Sequence, residues 1–217
     1  MNYNLVELFS YSIAIAAMIS LVRFRRTDRA YLPFFLLMWT GLLNELINTI
    51  IISRGFSNAV NTNIYTLIEV ALILWFFYNF RIFRHRNLSF GILLLLILST
   101  WIAENFVFSS IRSFSSYFIV FSYFMIVLLS ITMINKVQAA ERKGLLKNSK
   151  FIICTGFILF FTYALLVEIF WIYGLNASKS FRLEVYRIMA YVNLVVNIIY
   201  AIAVLWMPRK QESLLLS

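Results

Sequence analysis

The sequence SFGILLLLILSTWIAENFVF fills residues 89–108, and Glu104 is its single charged residue. As an α-helix that rises about 1.5 Å per residue, such a segment reaches across the roughly 30 Å hydrocarbon core of a bilayer. A soluble protein of this size has too small a core to enclose many segments of this kind. We therefore predict that residues 89–108 form a membrane-spanning helix.

The rest of the chain has the same character. Of its 217 residues, 62% are hydrophobic and 13% are charged, whereas soluble domains have ~45–50% and ~25%. The composition predicts an all-α bundle of seven transmembrane helices that forms one membrane domain, with no stretch left for a soluble one. The predicted spans are residues 4–22, 31–53, 61–80, 89–108, 115–135, 150–174 and 182–207.

Basic residues are unevenly divided between the two sets of loops. One set holds 14 of the 19 lysines and arginines, in the loops that follow the first, third, fifth and seventh spans. Lysine and arginine accumulate in cytoplasmic loops. We therefore predict an N-terminus outside and a C-terminus in the cytoplasm. The net charge of +10 reflects this asymmetry, and no nucleic-acid partner is expected.

Short matches relate the first three spans to the last three. Phe9-Ser10-Tyr11 corresponds to Phe121-Ser122-Tyr123, and Glu45 and Glu168 lie in the outer parts of the second and sixth spans. The matches favour parallel repeats over residues 4–80 and 115–207, joined by a linker helix at 89–108, in a 3+1+3 layout. Chance similarity between apolar helices is the alternative. Parallel repeats place a ligand site at their interface.

The 3+1+3 layout resembles, in architecture only, that of SWEET-type transporters and microbial rhodopsins. The Pro-Gln signature of the SWEET-related families is missing, and residues 182–207 contain no lysine for a retinal Schiff base. No cofactor is therefore expected. Asn44-Glu45 and the stretch Asn63-Ile64-Tyr65-Thr66-Leu67-Ile68-Glu69 are similar to a family of uncharacterised polytopic Bacteroidota membrane proteins. That resemblance implies a bacterial inner membrane and no particular activity.

Ionisable residues inside the spans are the candidates for function, because hydrocarbon strongly disfavours charge. Glu45, Glu69 and Glu168 all lie in the predicted outer half, and Arg187 is the strongly basic residue at the same depth. We predict an outward-facing polar pocket in which Arg187 pairs with one of these glutamates and another carboxyl is protonated or faces a cationic ligand. The predicted ligand-binding residues are Glu45, Asn48, Tyr65, Glu69, Glu168, Trp171, Tyr186, Arg187 and Asn193.

Other roles stay open for several of these polar and aromatic residues. Asn44 belongs to a polar face of the second span, and Asn193 and Asn197 lie four residues apart on one face of the seventh. Such residues also suit hydrogen bonds that hold helices together. Tyr65, Trp171 and Tyr186 also fit an interfacial aromatic belt. The single cysteine and the single histidine are far apart in the sequence, so no metal site is expected. Because no span has an interior proline, we expect unbroken helices.

Three functions are compatible with these patterns. The favoured hypothesis is a receptor-like binding or sensory module, which takes a small ligand from the outer side and signals through a separate cytoplasmic or membrane partner. The alternative is a transporter of a small solute or lipid. The least favoured is an intramembrane lipid-modifying enzyme, because the spans hold no Ser-His arrangement or metal set.

Overall fold

The computed structural model describes residues 9–83, 86–140, 144–174 and 178–209. In these ranges the fold is all-α, as predicted, and no strand is formed. Two 3₁₀ turns, in the connections before Leu32 and Ser149, and one π-helical segment, at the end of the fourth span, also occur in these ranges. The described ranges contain seven α-helices, which are α1 (Ile13–Arg23), α2 (Leu32–Ser53), α3 (Ala59–Asn79), α4 (Arg86–Ile102), α5 (Ser116–Ala140), α6 (Ser149–Tyr173) and α7 (Lys179–Leu205).

Six of these helices, α2 to α7, are long and apolar enough to cross a membrane, which marks an integral membrane protein. Their lengths, with adjoining 3₁₀ or π turns, are 21 to 27 residues. Helix α1 is apolar but has only 11 residues. The span predicted at residues 4–22 begins among residues outside the described ranges.

Six helices form a ring in which each packs against the next. The order is α1, α2, α3, α5, α6 and α7, and α7 closes the ring against α1. Helix α4 lies outside and packs on α3 and α5. Its outer side chains Leu88 and Leu95 are each 67% exposed, a surface suited to lipid tails. The ring contains three helices from each predicted repeat, although the duplication itself stays a prediction.

The fourth span continues as one helix to Phe108, but its last turn departs from α-helical geometry. Residues Ala103–Phe108 form a π-helical segment that follows α4 without a proline. Glu104 and Asn105 are buried there, and both bond to groups at or before the start of α5. The π-helical turn is therefore the part of the fourth span in which polar side chains are buried and bonded to the neighbouring segment.

A cluster of rings closes the interior of the bundle near the basic loops. Phe34 of α2 packs edge-on against Tyr200 of α7, with ring centroids 5.4 Å apart. Phe76 of α3 and Phe157 of α6 complete this cluster, at 5.9 Å from each other and each 6.2 Å from Phe34. Such tilted and edge-on contacts are the favoured geometry of aromatic pairs. We call these four residues the aromatic plug.

Candidate functional site

A cavity of about 110 Å³ lies inside the ring, between the aromatic plug and the end of the bundle that carries the α2–α3 loop. All six ring helices or their ends contribute to its walls, and we call it the central cavity. Its polar lining residues are Ser10, Glu45, Tyr65, Glu69, Tyr123, Asn193, Asn197 and Tyr200. Apolar side chains from α1, α2, α6 and α7 fill the remaining wall.

The Glu69 carboxyl is held between two phenols. Tyr65, one turn earlier on α3, donates its hydroxyl to Oε1 at 3.2 Å. Tyr123 of α5 donates to Oε2 at 3.1 Å. Glu69 is only 5% exposed. Since an unbonded carboxyl buried in a bundle is costly, these two donors are what makes its position tolerable.

Glu45 lines the same cavity from α2 and is half-buried. Within the described ranges, no hydrogen bond or ion pair engages its carboxyl. Gly41, one turn earlier, brings α2 close to its neighbours: a Cβ there would lie 2.6 Å from Cδ1 of Ile13 and 3.3 Å from the Tyr65 hydroxyl. The missing side chain at Gly41 therefore leaves room for Tyr65 to reach Glu69.

Amides from α7 line the opposite wall. Asn197 is buried and donates to Ser12 Oγ at 2.8 Å and to Asn193 Oδ1 at 3.2 Å. These bonds tie α7 to the start of α1, as the helix-joining interpretation predicts for Asn197. Asn193 also faces the cavity, so it serves both the helix contact and the lining.

The lining is acidic. It contains two carboxyl groups, and no lysine, arginine or histidine of the described residues lines it. Low-dielectric walls strengthen the effect of charge on any group inside. The arrangement therefore favours a cation, or a group that donates hydrogen bonds, over an anion.

Of the nine predicted site residues, four line the central cavity together: Glu45, Tyr65, Glu69 and Asn193. They come from α2, α3 and α7. The sequence spacing shows which residues share a face of one helix, and the structure shows that these three faces meet.

The predicted pairing of Arg187 with a membrane glutamate is wrong. Arg187 Nη1 lies 2.9 Å from Oε1 of Glu184, and the two side chains are 38% and 56% exposed. Residues three apart share a helix face, so Glu184 is the nearer partner. The pair lies at the exposed start of α7 and is not part of the cavity.

The remaining four predicted residues lie elsewhere. Asn48 accepts hydrogen bonds from Asn58 at 3.3 Å and Asn61 at 2.9 Å, which joins α2 to α3 and its preceding loop. Tyr186 is 45% exposed on α7. Trp171 and Glu168, both partly buried on α6, are not among the lining residues.

Sequence reasoning missed Tyr123 as a site residue, although a signal was present. Tyr123 belongs to the Phe-Ser-Tyr match between the first and fifth spans. Its counterpart Tyr11 donates to Thr49 of α2 at 2.7 Å, so both tyrosines bond across to a neighbouring helix. Ser10 and Tyr200 were likewise not predicted to line the pocket.

A metal site finds no support in the described ranges, where no group of three His, Cys, Asp or Glu residues comes together. Comparison with protein-family models, with curated proteins and with solved structures finds no match for this chain. The similarity of Asn44-Glu45 and Asn63–Glu69 to the Bacteroidota family therefore gains no further support.

Proposed function

We propose that this chain is a membrane-embedded binding module whose central cavity holds a small, positively charged ligand. The observation that carries the proposal is the meeting of Glu45 and Glu69 in one cavity without a basic residue in the described lining. Glu69 already has two donors, whereas the Glu45 carboxyl has none among the described residues. A cationic ligand would supply the missing partner for Glu45.

The size of the cavity limits the ligand. Sites for drug-sized molecules are ~300–1,000 Å³, and the central cavity is about 110 Å³. A single water requires about 10–15 Å³ by a comparable measure. The cavity therefore suits an ammonium-type ion or a small organic amine, with the Tyr65 hydroxyl and the Asn193 amide as further polar contacts.

In this proposal the ligand enters from the outside of a bacterial inner membrane. The excess of lysine and arginine in the loops at the plug end supports a cytoplasmic location for that end. The aromatic plug supports entry from the other end, because it fills the interior between the cavity and the basic loops. A separate partner would read the ligand-bound state.

Binding can be tested with methylammonium chloride on the purified full chain in detergent. A ligand that binds only the folded state raises the unfolding temperature with concentration. We expect methylammonium to do so more strongly than sodium chloride, and sodium acetate to have no additional effect. Glu45→Gln and Glu69→Gln should each weaken the response at least tenfold, and Glu184→Gln, which lies outside the cavity, should leave it unchanged. Equal responses to all three salts would contradict the proposal.

Transport is the second candidate function, and one observation favours it. The cavity is lined from both predicted repeats, by Glu45 and Glu69 on one side and Tyr123 and Asn193 on the other. Parallel repeats that move against each other around a shared site are a known basis of alternating access. Uptake of radiolabelled methylammonium into proteoliposomes, abolished by Glu69→Gln, would establish transport. Binding without uptake would favour the sensory module.

A further inference from the structure

A second hollow lies at the opposite end of the bundle from the α2–α3 loop, where α1 turns into α2. It has a volume of about 310 Å³. Its lining residues are Phe24, Arg25, Thr27, Asp28, Arg29, Leu32 and Phe35. We call it the loop hollow, and the central cavity shares none of these residues.

The loop hollow is fixed to the end of α7. Arg23 donates to the backbone carbonyls of Leu205 and Met207, the latter at 3.0 Å. Thr27 is buried and forms an antiparallel bridge with Arg209. Asp28 Oδ1 accepts from the Ala30 amide at 2.9 Å. These bonds hold the loop in one shape, so the arginines next to them project from a defined position.

The floor of the hollow is aromatic. Phe24 packs against Trp39 with ring centroids 5.3 Å apart, and against Phe35 at 6.1 Å. Beside it on α1, Leu21 and Val22 are 59% and 77% exposed, so an apolar surface continues from the hollow along the bundle. A ligand that fits here has a polar end and an apolar body.

Arg25 and Arg29 are exposed, and within the described ranges neither guanidinium has an ion pair or hydrogen bond. Two other basic side chains near this end of the bundle are engaged. Lys136 donates to the carbonyls of Phe80 and Arg81 at 3.2 and 2.9 Å, and Lys147 lies over the Trp206 ring. Asp28 is the single carboxylate in the hollow's lining. Two arginines therefore face one hollow with one acid between them.

We propose that the loop hollow binds an anionic phospholipid, with the phosphate between Arg25 and Arg29 and an acyl chain on the surface formed by Phe24 and the exposed side of α1. Arginine forms paired, charge-assisted hydrogen bonds with phosphate oxygens. Basic hollows at the cytoplasmic end of transmembrane helices are typical sites for anionic headgroups. The aromatic floor and the apolar side of α1 give an acyl chain a continuous surface beside the arginines.

The test is lipid binding to the full chain in detergent, measured by native mass spectrometry. Phosphatidylglycerol is compared with phosphatidylcholine of the same acyl chains, and with inorganic phosphate. We expect a clear preference for phosphatidylglycerol. Arg25→Gln with Arg29→Gln should reduce its affinity about 30-fold, the loss that two basic residues near an anionic surface account for.

A matched control removes the same number of positive charges at the other end of the bundle. Arg54→Gln with Arg112→Gln removes two exposed arginines there and should leave the preference intact. Circular dichroism and gel filtration establish that each variant is folded. Arg25→Lys with Arg29→Lys keeps the charge but loses the paired hydrogen bonds, so it should bind more weakly than the unchanged chain and more tightly than the double glutamine variant.

Three results would overturn the proposal. They are equal binding of the two lipids, an equal loss in both double glutamine variants, and displacement of phosphatidylglycerol by millimolar inorganic phosphate. The last of these would identify free phosphate as the ligand.

Discussion

Glu69 illustrates how a carboxyl is kept inside an apolar bundle. Each of its oxygens accepts one tyrosine hydroxyl, from α3 and from α5. The two donors come from different helices, so the same bonds that satisfy the carboxyl also fix the distance between α3 and α5. A residue that sequence reasoning treats as a ligand group is thus also part of the bundle's structure.

Removing one phenol hydroxyl should expose this double role. Tyr123→Phe leaves Glu69 Oε2 without its donor, and an unsatisfied buried group costs about 1–3 kcal/mol. We expect a loss of stability in that range and a weaker response to methylammonium, measured by denaturant unfolding in mixed micelles. Tyr117→Phe, at a 67% exposed position on the same helix, is the control. A similar loss in both variants would mean that the bond to Glu69 contributes nothing specific.

Substitution by alanine should have opposite effects on stability at two glycines, Gly156 and Gly91. A Cβ at Gly156 of α6 would collide with the Tyr200 ring, which lines the central cavity and belongs to the aromatic plug. A Cβ at Gly91 of α4 would meet nothing within 4 Å.

We therefore expect Gly156→Ala to destabilise the protein by about 1–3 kcal/mol through overpacking, and to weaken methylammonium binding because Tyr200 must move. Gly91→Ala should stabilise by about 0.5–1 kcal/mol, since alanine favours a helix interior. Thermal unfolding of the two variants side by side checks both signs. A stabilised Gly156→Ala would show that α6 and α7 separate easily.

At the scale of elements, the start of α5 depends on a residue from the preceding segment. Glu104, in the π-helical segment, accepts from the backbone amides of Tyr117 and Phe118 at 3.1 and 2.5 Å. Beside it, Asn63 of α3 donates to the Ser113 carbonyl at 2.7 Å and accepts from the Ser115 amide at 3.1 Å. Side chains from α3 and from the α4 end therefore satisfy the first groups of α5.

Glu104→Ala should loosen the N-terminal end of α5. Two amides lose their acceptor, and the negative charge that favours a helix N-terminus is removed. We expect a destabilisation of about 1–2 kcal/mol and faster hydrogen exchange at the first turn of α5, measured by mass spectrometry in detergent. Glu184→Ala, which removes an exposed acid on α7, is the control. Unchanged exchange at Tyr117 and Phe118 would contradict the capping role.

The element scale also shows which parts of the fold were predictable. Apolar runs of sufficient length predicted α2 to α7 closely, because hydrophobic length is a property of the sequence itself. The π-helical segment was not predictable in this way, since it depends on where Asn63 and the start of α5 lie in space. Glu104 stands out in the sequence as the single charged residue of its span, but its partners are backbone amides that no sequence pattern marks.

At the scale of the whole molecule, only part of the site could be predicted from the sequence. Helical spacing indicates which residues share a face, but packing decides which faces meet. Glu45, Tyr65, Glu69 and Asn193 point into the ring and meet. Arg187 shares its face with Glu184, and this local partner prevails over the distant carboxyls. The sequence predicted a pocket with three acidic residues and one basic residue. In the structure, two acidic residues line the cavity and Arg187 lies outside it.

The direction of the bundle in the membrane decides what the two hollows can do, and it can be measured by cysteine labelling. The chain has one cysteine, Cys154, which is buried, so Cys154→Ala gives a background without thiols. Ser57 and Ser110 are exposed in the loops at the Glu45 end, and Leu146 is 80% exposed in a loop at the basic end. Each is replaced singly by cysteine in this background.

We expect a membrane-impermeant maleimide to label Ser57→Cys and Ser110→Cys in intact spheroplasts, and Leu146→Cys only after permeabilisation. The reason is that 14 of 19 basic residues belong to the loops at the Leu146 end. The opposite pattern would turn the central cavity toward the cytoplasm. Binding of a cation by Glu45 and Glu69 would then remain a sound proposal, but a sensor of external ligands would not, and the loop hollow would face the outer leaflet. Labelling of all three positions before permeabilisation would argue against a single orientation, and with it against any function that needs two distinct sides.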